Sequence, residues 1–246
     1  MKNNELRSDL IISGSGSAAG GIYQNVKING EGTISSDIDS IEFKTNGNSR
    51  ARGNVKSKVI KVNGVTHIEG NVEADQVSVH GQTDIGGDVT VRSLKLQGKS
   101  EIGGNLTGDL LEIDGEMKVH RDCEAETFNY KGSFLIGGLL NAGTIDIQLF
   151  GPCEVKEIGG EMISVKRTGI HLSLHKIIHS LFLPGFEDRL KADTIEGDDI
   201  YLEYTTAKVV RGNRVNIGPG CEIAQVEYKD HFEQVKGAKV NEFSKI

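Results

Sequence analysis

The chain of 246 residues carries 28 Lys and Arg against 35 Asp and Glu, a formal net charge of −7, with 32 Gly, 3 Pro and no Trp. That balance leaves no basic footprint for nucleic acid, and glycine that recurs at seventeen rather than at three excludes collagen. Cys123, Cys153 and Cys221 have no CxxC spacing, so they offer neither a zinc site nor a disulfide framework, and they read as reduced thiols of a cytoplasmic protein.

Residues 1–19 are expected to form a flexible N-terminal tail. The run Leu10-Ile11-Ile12 is too short for a secretory signal, and the stretch from Ser13 to Gly21 is built of Gly, Ser and Ala. No later segment approaches the ~20 apolar residues of a membrane span.

Residues 20–167 carry the pattern that organises the chain. Glycines recur every seventeen residues at Gly30, Gly47, Gly64, Gly81, Gly98, Gly115 and Gly132. A second series follows six residues later at Gly53, Gly70, Gly87, Gly104 and Gly138, with Ser36 and Arg121 as exceptions. Apolar side chains keep the same register, as in Ile68, Val72, Val77 and Val79, then Ile85, Val89, Leu94 and Leu96, then Ile102 and Leu106. Within each short segment apolar and polar residues alternate, which is the period of a strand. Three short strands per repeat require three corners. Two fall at the two glycine series, where positive φ is expected for both, and the third is polar and variable, as at Asp75-Gln76 and Arg92-Ser93. A fixed period of this kind marks a repeat architecture. The fold class is therefore all-β: a three-sided parallel β-helix of about 17 residues per rung, right-handed by the crossover rule. Met117 and Phe134 stand where small residues are usual, so the interior should repack at their level.

The register breaks near Phe150-Gly151-Pro152. Residues 168–190 then read as an insertion, helix or long loop, because Ile170, Leu174, Ile177, Ile178 and Leu181 have helical spacing and Pro184-Gly185 stops it. Residues 191–228 resume the β pattern as C-terminal rungs. Residues 229–246 are polar and read as a tail or cap, with Phe232 and Phe243 as end-contact candidates.

Little in the chain suggests chemistry. His171, His175 and His179 lie four apart, a spacing that could ligate zinc or copper on a helix, but no HExxH accompanies them. They are weak metal candidates beside the plainer reading of a polar stripe. The Asp/Asn series Asp37, Asn54, Asn71, Asp88, Asn105 and Asp122 follows the second glycines, where turn hydrogen bonding accounts for it better than cation binding. Lys44, Lys61 and Lys95 occupy equivalent outward positions beside Glu112 and Asp146, a solvated mixed face. There is no P-loop, no selectable Ser/His/Asp set, and no Trp for a sugar platform. No catalytic residue and no cofactor are assigned, and the chain reads as a non-enzyme.

The rungs from Val62 to Gly108, VNGVTHIEGNVEADQVSVHGQTDIGGDVTVRSLKLQGKSEIGGNLTG, resemble those of the bactofilins, bacterial polymer-forming cytoskeletal proteins. The resemblance covers about residues 20–165 and resumes at about 192–228. It implies a right-handed β-helix that forms filaments without nucleotide and acts as a scaffold in cell shape, envelope organisation or motility structures. It implies self-association, as a homopolymer or as a heteropolymer with a paralogue, and a membrane-associated or envelope protein partner. It places the protein in the cytoplasm, at the inner face of the membrane where an apolar motif such as Leu10-Ile11-Ile12 makes contact. Two alternatives stay open: a non-polymerising adaptor whose insertion caps the stack and binds a partner, and a glycan-acting β-helix.

Overall fold

The computed structural model describes residues 7–167 and 188–246. Among them there are twelve strands, all pairing in parallel, and no helix. The fold is a β-solenoid. The chain divides into two compact units, Met1–Arg121 and Asp122–Ile246.

The first unit contains β1 (Ser8–Ala18), β2 (Gly21–Ile34), β3 (Ile38–Ala51), β4 (Val55–Ile68), β5 (Val72–Ile85), β6 (Val89–Ile102) and β7 (Leu106–Val119). Each pairs with the next, and from β2 onward every partner lies seventeen residues away, as Val55 lies beside Val72 and Val72 beside Val89. In β4 the inward residues are Val55, Ser57, Ile60, Val62, Thr66 and Ile68. The two skips in that alternation, after Ser57 and after Val62, are two of the corners, and the bend at 52–54 is the third. Three sides follow from that phase shift.

The two glycine series serve different ends. The first takes positive φ: Gly81 stands at 136°, and a Cβ there would overlap the carbonyl oxygen of Gly64 in the turn before. The second does not, contrary to the expectation from sequence. It is held to glycine by a neighbouring ladder instead. The N–H of Asn71 donates to Asn54 Oδ1 at 2.8 Å, and a Cβ on Gly70 would come within 2.6 Å of that same oxygen. The ladder runs from Asp37 through Asn54, Asn71 and Asp88 to Asn105, each of the first four side chains accepting the N–H one turn on, at 2.8 Å throughout. Asn54 and Asn71 between Asp37 and Asp88 keep carboxylates from stacking on one another.

Ser8–Ala18, expected within a flexible tail, is strand β1. It pairs with β2 and sets Leu10 on Val26 and Ile12 on Ile28. Gly and Ser are poor strand formers alone, but here the ladder to β2 supplies what local propensity lacks.

The second unit contains β8 (Cys123–Arg167), β9 (Leu190–Leu202), β10 (Thr205–Ile217), β11 (Glu222–Gln234) and β12 (Lys239–Lys245). Its core opens with an aromatic cluster. Phe128 stacks on Tyr130 at 5.5 Å between ring centroids, Phe134 meets Tyr130 edge-on at 5.0 Å, and the Tyr130 hydroxyl donates to the Ser133 carbonyl at 2.6 Å. This is the repacking expected at the level of Phe134.

The broken period has a simple cause. Partners lie 15 residues apart from β9 to β10, 16 and then 17 from β10 to β11, and 17 from β11 to β12. Between β8 and β9 the offset is 37, from Cys153 beside Leu190 to Val165 beside Leu202. That is one turn of seventeen plus twenty, and residues 168–187 number twenty. The solenoid therefore keeps its register on both sides of the insertion. The helix-or-loop expectation for this segment, and His171, His175 and His179 with it, fall outside the described residues. Residues 188–190 belong to the resumed solenoid, since Leu190 begins β9 fully buried. The polar stretch 229–246, expected as a tail or cap, is the end of β11 and all of β12, and so completes a further turn. Its polarity misled because one side of it has no turn stacked on it among the described residues.

Candidate functional site

The surfaces that set this fold apart are the terminal turns. Among the described residues β1 pairs only with β2, and β12 only with β11. Each strand therefore presents a row of backbone donors and acceptors on its other edge, and such an edge is a template for another strand.

At the C-terminal turn an apolar column is left open among polar side chains. Val226 and Phe243 are adjacent in one inward column, yet Val226 is 0% exposed and Phe243 is 61% exposed. The difference is that nothing among the described residues lies on Phe243. Tyr228, Phe232 and Phe243 continue the aromatic contact, at 5.5 Å and then 5.0 Å between centroids, with Phe232 half-buried. Charge is present on this edge, at Lys239, Glu242 and Lys245.

The N-terminal turn is different in kind. From Leu10 to Ala18 the edge carries neither charge nor proline, the two devices that usually blunt an open strand. Ile11 points outward and is 62% exposed, while Leu10 and Ile12 occupy inward positions. The three apolar residues suspected of membrane contact are thus divided between two faces. No helix among the described residues is long and apolar enough to cross a membrane.

The remaining residues singled out from sequence have structural places. Ile68, Val72, Val77, Val79, Ile85, Val89, Leu94, Leu96, Ile102 and Leu106 are all buried in the first unit. Gly47, Gly64, Gly81, Gly98 and Gly115 form its positive-φ corner, and Gly132 takes the same conformation in the second. Tyr204, at φ 46°, stands at the corresponding corner of a later turn without being glycine. The Arg167 guanidinium lies 4.5 Å from the centre of its ring. Sequence reading missed Tyr204, because its corner role shows only once the 15-residue offset is known.

Reactive groups are scarce. The three cysteines are free and buried, and burial pushes the thiols of Cys123 and Cys153 up to about 12 and that of Cys221 to about 11. A thiol so placed stays protonated and inert. Among the described residues no three His, Cys, Asp or Glu side chains are grouped to hold a metal ion. The clearest electrostatic centre is exposed: Glu101 accepts from His120 at 2.7 Å and from Lys118 at 2.9 Å, and these hydrogen bonds hold its carboxyl below the usual range. Tyr201 donates to Glu203 at 2.7 Å, and that bond with burial raises its hydroxyl to about 12.

Comparison with known proteins agrees with this geometry. Residues 43–124 match the bactofilin family, described as polymer-forming cytoskeletal. The chain is also 48% identical over 238 residues to the uncharacterized protein YhbE of Bacillus subtilis (strain 168), a match that covers 96% of this chain and 98% of that one. The chain belongs to the bactofilin family. A second relative from the same organism, the uncharacterized protein YhbF, is 42% identical over 110 residues, 44% of this chain and 42% of its own length. No solved structure matches the chain. The bactofilin region at 43–124 lies almost wholly in the most regular turns, β3 to β7, where the seventeen-residue register is unbroken. Bactofilins are a structural, cytoskeletal family, so the terminal turns of this bactofilin, rather than a pocket, are its candidate functional surfaces.

Proposed function

We propose that this bactofilin is a scaffold whose copies stack turn upon turn into filaments, without nucleotide or metal. The observation that carries the reading is the inward column in which Val226 is sealed and Phe243 is open. An open apolar column flanked by unpaired backbone is a surface that another turn would cover, gaining both β-ladder and hydrophobic contact. The filament then serves cell shape, envelope organisation or a motility structure from the cytoplasm, at the inner face of the membrane. Its partners are further copies of itself or a paralogue, together with a membrane-associated or envelope protein. The capped-adaptor alternative finds no support among the described residues, because β9 to β12 continue the pairing past the insertion.

Negative-stain electron microscopy of the purified, tag-free chain, without nucleotide or metal, tests the proposal. Filaments are expected, and Phe243→Asp should shorten or abolish them while lowering the melting temperature by only a few degrees, since that side chain is mostly exposed and its contacts within the chain are confined to the last turn, with Val226 and Phe232. Monodisperse small particles across a range of salt and concentration would refute it.

A further inference from the structure

In-register side chains on successive turns lie about 4.8 Å apart, and like charges placed so closely repel. Many neighbouring pairs in the first unit avoid this, although Asp84 does lie beside Glu101. Lys56 meets Glu73 at 2.5 Å, Lys99 meets Glu116 at 2.8 Å and Lys118 meets Glu101 at 2.9 Å, each across adjacent turns. The longest run of like charge lies in another column. Lys27 lies beside Lys44 and Lys44 beside Lys61, three ammonium groups on consecutive turns, and Lys95 follows two turns later in the same column. Glu42 neutralises Lys61 at 2.8 Å, but neither Lys27 nor Lys44 has a carboxylate partner among the described residues.

The adjoining outward column adds donors. Asn46 Nδ2 donates to Asn29 Oδ1 and Asn63 Nδ2 to Asn46 Oδ1, both at 2.9 Å. Each of these amides satisfies its neighbour with one N–H, so the second N–H of Asn46 and Asn63 is left for another acceptor. From β2 to β6 this side presents four lysines against Glu42, and the nearest further carboxylates are at its two ends, Asp9 on Asn25 and Glu112 beside Lys95. Its one aromatic, Phe43, is buried, so the outward face offers no platform on which a base could stack.

We propose that the Lys27–Lys44–Lys61 column with its asparagine ladder is a binding stripe for a linear phosphate polymer that lacks bases. Phosphate oxygens accept from ammonium and amide N–H alike. A polymer laid along the column relieves the lysine repulsion that the folded chain otherwise tolerates. This stripe runs along the side of the turns, so it does not depend on the end-to-end assembly proposed above.

The test is fluorescence-detected binding of long-chain inorganic polyphosphate to the full chain, as parent, as Lys27→Gln/Lys44→Gln, and as Lys118→Gln, a control lysine already paired with Glu101. The double variant should bind about tenfold more weakly at low salt. The slope of log K against log salt should flatten by roughly 0.7 per lysine removed, the value for single-stranded phosphate polymers. Its melting temperature should hold or rise, as repulsion is removed. Lys118→Gln should bind as the parent does. Equal affinity of the double variant and the parent would overturn the assignment. So would tighter binding of single-stranded oligothymidylate than of polyphosphate, or equally tight binding of phosphatidylglycerol vesicles at matched phosphate.

Discussion

Val89→Asp places a carboxyl at the centre of the first unit. Val89 is 3% exposed and is paired in register with Val72 on one side and Leu106 on the other, both buried. Removing the valine forfeits about 1.5–3 kcal/mol of burial. The new carboxyl has no inward donor to meet, because its column is aliphatic on both sides, and burying it adds a further cost of ~2 kcal/mol or more. The total, about 4–6 kcal/mol, is a large share of the ~5–15 kcal/mol that holds a domain folded. The effect has a sign in pH. Burial raises the carboxyl's folded pKa above its unfolded value near 3.9, so the folded state binds more protons and stability falls as pH rises between the two values. Thermal unfolding followed by far-ultraviolet circular dichroism should therefore show a deep loss at pH 8 that is partly recovered near pH 4. Thr90→Asp, one residue on and outward, is the control, with an expected change of no more than ~1 kcal/mol, since its carboxylate lies in solvent beside Glu73. If the two variants melt alike, the inward assignment of the column is wrong.

Gly81→Ala should cost about 1–3 kcal/mol in the same assay, because φ of 136° is foreign to alanine and its Cβ would overlap Gly64 O; an unshifted melting curve would disprove the corner geometry. Deleting residues 168–187 and joining Arg167 to Asp188 should leave one ordinary turn of seventeen and a folded solenoid, with the melting temperature moved by only a few degrees; loss of the β spectrum would show that the register is not carried by the flanking strands alone. A thiol-reactive disulfide reagent at neutral pH should label almost no cysteine in the folded protein and all three after denaturation; rapid labelling of the native chain would contradict the burial of Cys123, Cys153 and Cys221.

The repeat was readable because its constraints lie within one turn. Gly64, Ile68, Val72, Val77 and Val79 each recur at the same step, and that periodicity alone fixes side, corner and core. What escaped lies between turns. Gly70 is glycine on account of Asn54, a residue of the preceding turn, and no feature of its own turn discloses that. Ser8–Ala18 looks flexible when judged by its own composition and is a strand only because β2 receives it. The turns after Leu190 were blurred because their length drops to fifteen and recovers, and a search at fixed period loses them although their pairing is as regular as before. Tyr204 took a glycine's corner without glycine's signature.

The single long offset in the second unit carries a kinetic consequence. Nearly every contact between strands there closes a loop of similar length, so a growing stack meets the same entropic cost at each turn and can zip from one to the next. Docking Leu190 on Cys153 must close 37 residues instead, which adds about 0.7 kcal/mol of chain entropy by the logarithmic rule. Zipping in this unit therefore hesitates at the joint between β8 and β9. During synthesis, β8 would stand complete on the ribosome for the time needed to make twenty further residues before the next turn could land on it.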